Sequence, residues 1–130
     1  MGLFNIGTFR ATNRRIGELM PVVEANFSRL GNYFSTHFKV PKKSPLDYLT
    51  KVDNNIYVEQ SVVDEYLRLK REFEREFKIL YDLVEEIKPK TFLDDDRFYV
   101  QCHNRLVNMI SAQELFDSTF FKHYNVCIKS

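Results

Sequence analysis

The chain has 130 residues, 44% of them hydrophobic and 28% charged, with a formal net charge of +1. That balance excludes an intrinsically disordered chain, and the length suits one domain that buries its core without disulfides or a metal. Two cysteines, Cys102 and Cys127, exclude a disulfide framework and show no paired metal-ligand spacing, so a reducing compartment is expected.

No apolar run approaches the ~20 residues that span a bilayer. A secretory signal is not expected, because no charged start is followed by an apolar stretch. Gly2 does not read as a myristoylation site, since Ile6 stands where that motif prefers Ser or Thr.

Charge is unevenly spread. Residues 1–45 carry seven Lys/Arg against two Asp/Glu, and residues 46–130 carry twelve against sixteen. A basic front of this kind suits nucleic acid, an acidic partner, or the chain's own acidic half.

In chain order, residues 1–12 read as an N-terminal arm. Leu3, Phe4, Ile6 and Phe9 hold neither one strand period nor one helix period, so an extended segment docked on apolar surface through Phe4, Ile6 and Phe9 is expected. Helix 1 is predicted over 13–36. Ile16, Met20, Val23, Phe27, Leu30 and Phe34 recur at steps of four and three, one face of a 3.6-residue helix. Asn13 is its candidate cap. Pro21 predicts a kink or a helix start, and Gly31 either weakens the helix or marks close approach of a neighbour.

Residues 37–60 are the least regular. Ser44-Pro45-Leu46 reads as cap plus first-turn proline of a short helix over 45–51. Ile56-Tyr57-Val58-Glu59 is strand-like and matches Val126-Cys127-Ile128 in composition, with Phe38-Lys39-Val40 as a third candidate strand.

Helix 2 is predicted over 61–88, with Ser61 as cap and Asp64 completing an approximate capping box. Val63, Tyr66, Phe73, Phe77, Leu80, Val84 and Ile87 face inward, and Leu67, Leu69, Tyr81 and Leu83 widen the stripe. Asp64–Arg68 and Glu74–Lys78 are favourably spaced ion pairs. From Leu46 to Ser130 the only proline is Pro89, and no glycine follows Gly31. The Lys88-Pro89-Lys90 break therefore separates two long helices. Helix 3 is predicted over 94–123, with Asp94-Asp95-Asp96 at its dipole-positive start and Tyr99, Cys102, Leu106, Met109, Ile110, Phe116 and Phe120 as its stripe. The expected fold is all-α: an antiparallel bundle of three long helices plus a short one, with a minor two- or three-stranded β pairing.

Few residues carry chemistry. The aspartate run reads as helix-start chemistry rather than a metal site, since adjacent helical side chains diverge by about 100°. Cys102 falls on the apolar stripe, so Cys102-His103 is not a thiol–base pair. His37, His103 and His123 lack metal-binding spacing, and no phosphate loop, nucleophile elbow or zinc-protease motif is present. No catalytic residue, metal or cofactor is assigned.

The expectation is a non-enzymatic interaction or assembly protein, a structural component of a viral or other large particle, cytoplasmic or within that particle. Its partners are protein, either further copies or heterologous subunits. Docking is assigned to Phe4, Ile6, Phe9, Arg10, Arg14 and Arg15. One alternative is a nucleic-acid-binding helical protein, in which Arg29, Lys39, Lys42 and Lys43 add contacts to nucleic acid or an acidic partner. The other is a small inhibitor or regulator of a second protein.

Overall fold

The computed structural model describes residues 2–38, 55–90 and 95–129, with side chains described from Arg10 onward. Five elements follow in order: α1 (Gly2–His37), β1 (Asn55–Glu59), α2 (Gln60–Glu86), α3 (Arg97–His123) and β2 (Asn125–Lys129). The fold is a three-helix body with a minor two-stranded parallel sheet. The short helix expected over 45–51 lies outside the described residues.

The expected arm is not extended. Residues from Gly2 onward form the first turns of α1, which runs 36 residues to His37. Helix propagation explains the difference: once a nucleus exists, each further residue adds one backbone bond, and nothing before Asn13 is a proline that would stop it. Asn13 consequently sits inside the helix, where its Oδ1 is buried without a hydrogen-bond partner, and does not cap. Pro21 is likewise internal and begins nothing. Around it the predicted stripe is buried at Ile16, Met20, Val23, Leu30 and Phe34, with Phe27 packed against the core. Gly31 marks no close approach, because a Cβ there would meet nothing within 4 Å.

The strand β1 leads straight into α2, and this moves the helix start. Extended backbone ends at Glu59 (φ −70°, ψ 148°), which becomes the N-cap without a side-chain hydrogen bond. Ser61 is already helical, and Gln60 Nε2 instead donates to Asp64 Oδ1 at 2.8 Å. Tyr66, Leu69, Phe73, Leu80, Leu83 and Val84 are buried, while Leu67 and Tyr81 prove exposed. Arg68 bonds Glu65 and Glu72 rather than Asp64, and Lys78 bonds Asp82 rather than pairing with Glu74. The helix ends at Glu86, and the Ile87 N–H donates back to Val84 O at 3.1 Å. Lys88 precedes Pro89, whose ring disfavours helical backbone in the residue before it.

Helix α3 begins at Arg97, later than expected. The Asp95 carboxylate accepts from the Arg97 backbone N–H at 3.0 Å and from its guanidinium at 3.1 and 2.9 Å. An aspartate bonding the backbone two residues ahead favours a turn over a helix, so regular geometry starts only after Asp96. Asp94 lies outside the described residues.

Facing residues fix the layout. Phe27 lies by Phe73 and Phe34 by Tyr66, so α1 and α2 are antiparallel. Lys70 meets Asp117 and Glu85 meets Tyr99, so α2 and α3 are antiparallel too. α3 therefore lies parallel to α1, tied to it by Arg105–Glu24 and by Phe34 against Phe116. Among the helices, α1 and α2 share the most extensive backbone contact.

One end of this body carries the aromatic core. Phe34 stacks on Phe38 at 4.5 Å and meets Phe116 and Phe120 edge-on, each at 4.7 Å, and Phe120 stacks on Tyr124 at 5.1 Å. The sheet closes the same end, pairing Asn55 with Asn125 through Glu59 with Lys129 in parallel register. Parallel strands need a long crossover, which here is the α2–α3 pair itself. Ile56 and Val58 are buried beneath β1, and Tyr57 is exposed. Phe38 is buried at a bend rather than in a strand, and Lys39 and Val40 lie outside the described residues.

Candidate functional site

The residues assigned to docking fall along α1. Phe4, Ile6 and Phe9 belong to its first turns, and Arg10, Arg14 and Arg15 are exposed further along. Arg15 lines a shallow groove of about 320 Å³ between α1 and α2, together with Glu18, Leu19, Glu76, Ile79 and Leu83. Arg29 stands 3.9 Å from Glu72 of α2. Lys39, Lys42 and Lys43 lie outside the described residues. Arg10, Arg14 and Arg15 fall within about 8 Å of helix, with Arg10 and Arg14 one turn apart, whereas Arg29 lies about 21 Å further along beside Glu72. Of these arginines, Arg29 is the one that stands within ion-pair distance of the chain's own acidic half, among the described residues.

A polar cluster joins α2 to α3 near the opposite end from the sheet. Tyr99 Oη donates to Glu85 Oε1 at 3.3 Å, and the same oxygen lies 3.6 Å from His103 Nδ1. The His103 ring stacks on Tyr99 at 5.4 Å and lies 6.5 Å from Tyr81, and its buried Nδ1 makes no hydrogen bond. Burial, then the Glu85 charge, pushes the Tyr99 phenol up. This cluster holds a carboxylate and an imidazole but no nucleophile. The neighbouring Cys102 points into the core, and burial pushes its thiol up. Among the described residues no three His, Cys, Asp or Glu side chains group as a metal set.

The outward faces of α2 and α3 are built from different materials. At 100° per residue, the line on α2 opposite its buried stripe is Asp64, Arg68, Arg71, Arg75, Lys78 and Asp82, all exposed and all charged. The corresponding line on α3 is Val100, Asn104, Val107, Asn108, Ser111, Leu115 and Ser118, all exposed and uncharged, with the exposed Glu114 at its edge, about 20° of phase from Val107. From Val100 to Ser118 that line is about 27 Å long. Leu115, at 67% exposure, is its most open apolar side chain. Neither line touches the core, so packing within the chain does not account for the difference between them.

Sequence reasoning missed this face because it sought the residues that point inward. The available signal was charge density by helical phase: between Arg97 and Glu114 the only Lys, Arg, Asp or Glu is Arg105, and it bonds Glu24 at the flank. Over that stretch the face carries exposed Val side chains among Asn and Ser with little charge. Among the described residues no helix is long and apolar enough to cross a membrane. No family model, no curated protein and no solved structure matches the chain.

Proposed function

We propose that this protein is a non-enzymatic interaction or assembly module whose docking surface is the outward face of α3. The uncharged line Val100–Asn104–Val107–Ser111–Leu115, set beside the wholly charged line of α2, carries the reading. A helix whose outer face met only water would gain solubility and i,i+4 pairs from charge there, as α2 does through Arg68–Glu72 and Lys78–Asp82. On α3 that gain is forgone. Val107 and Leu115, flanked by Asn, Ser and Ala side chains with Glu114 at the edge, form a surface that another helix covers. Its desolvation cost is lower than that of the charged line of α2, the Asn and Ser groups being hydrogen-bonded across the contact.

Site-specific photo-crosslinking in the native host tests this. A photoreactive residue at Val107 is expected to give a discrete adduct, and the same residue at Arg71 on α2 is expected to give none. Equal labelling from both positions, or no adduct from Val107, would overturn the assignment.

A further inference from the structure

We infer that the occupant of the α3 face is a second copy of this chain, packed with its own α3 antiparallel to the first. The inference rests on the reading of that face as a docking surface and adds the partner. Charge at the two ends of the face supplies the argument. The end before Val100 carries Asp95, Asp96 and Arg97, with the Arg97 guanidinium held by Asp95 at 2.9 Å and Asp96 nearby, so the three together leave one net negative charge at this end. The end after Ser118 carries Lys122.

In a two-fold antiparallel pair centred near Met109, Lys122 of each copy meets Asp96 of the other, twice over. Val107 then faces Ser111 of the second copy, so the small side chain takes the branched one and the axes approach closely. Parallel pairing would set Lys122 on Lys122 and Asp96 on Asp96, with both helix dipoles aligned. A self-complementary patch of this kind closes on itself with two-fold symmetry. A single helix face is small by the standard of stable dimers, so association is weak and concentration-dependent.

Sedimentation velocity over a concentration series, with circular dichroism to confirm folding, is the test. The native chain is expected to move from monomer towards dimer. Lys122→Glu is expected to weaken the dimer about fivefold, and adding Asp96→Lys to restore it. Leu115→Glu, at a site too open to affect the fold, is expected to abolish it. A chain that stays monomeric throughout, or a double variant no tighter than Lys122→Glu alone, would overturn self-pairing. If that chain still gave Val107 photo-adducts with a different protein, self-pairing would fall while the docking reading stood.

Discussion

Phe34 of α1 meets Phe120 of α3 edge-to-face, ring centroids 4.7 Å apart and planes at 88°. Through this contact the two helices that do not adjoin in sequence are joined beside the sheet. Tyr66 from α2 lies 5.8 Å from the same Phe34 ring, so one side chain touches all three helices. Phe34→Ala is expected to cost about 3–5 kcal/mol, read from the denaturant midpoint at unchanged slope. A cost below about 1 kcal/mol would show that the aromatic end is not the centre of the core.

The polar tie between α2 and α3 is narrower. Lys70 Nζ donates to Asp117 Oδ2 at 2.9 Å while Gln113 Nε2 donates to Asp117 Oδ1 at 3.0 Å, both partly buried. A double-mutant cycle with Lys70→Met and Asp117→Ala is expected to give a coupling of about 1 kcal/mol, since the ion pair retains some solvent screening. Additive single effects would mean the pair does not hold the two helices.

Gly17 and Gly31 are exposed within α1, and an added Cβ at either would meet nothing within 4 Å. Gly17→Ala and Gly31→Ala are each expected to stabilise the chain by about 0.5–1 kcal/mol, because alanine loses less backbone freedom on entering a helix. Thermal melts check this, and a loss of stability at either site would contradict the open environment.

Tyr66 is buried, and its hydroxyl lies near Gln113 and Asp117 without a well-formed hydrogen bond. Burial, and then the Asp117 charge, pushes the phenol up from 10.0 to about 12. In the unfolded chain the phenol releases its proton near pH 10, and in the folded chain only near 12. The folded state thus holds more protons between these values, and stability falls as pH rises through that window. Tyr66→Phe is expected to flatten the alkaline limb of the stability curve and to be neutral or slightly stabilising at pH 7. An unchanged alkaline limb would contradict the burial argument.

At acid pH the sign reverses. Hydrogen bonds from Arg97 lower Asp95 to about 2, so its contribution is present above the ordinary carboxylate range and lost as pH falls towards 2. The pair is solvent-exposed, so the effect is expected as a small shift in the acid midpoint that Asp95→Asn removes.

How much was legible follows from the kind of signal each feature leaves. Helical phase made the buried residues of α1 visible, from Ile16 to Phe34, because a 3.6-residue period survives any detail of packing. The helix starts were not visible. Asp95 delays α3 through a hydrogen bond to Arg97, and β1 draws the start of α2 to Gln60, both of which depend on where neighbouring backbone lies. Composition marked Ile56-Tyr57-Val58-Glu59 and Val126-Cys127-Ile128 as matching strand-like runs, but their register and parallel sense came from the antiparallel packing of α2 on α3. The α3 face was hidden for a simpler reason. Val107 and Leu115 lie outside the stripe read for α3, and only when the core residues are known does the line through them stand out as uncharged.

The central claim is that the outward face of α3 docks and that of α2 does not. A matched pair of charge substitutions, Val107→Glu on α3 and Arg71→Glu on α2, tests it most directly through solution mass by light scattering. Both positions are exposed, so each variant is expected to keep its stability within about 0.5 kcal/mol. Val107→Glu is expected to leave only monomer at concentrations where the native chain and Arg71→Glu form dimer. Dimer retained by Val107→Glu, or lost equally in both variants, would contradict the account.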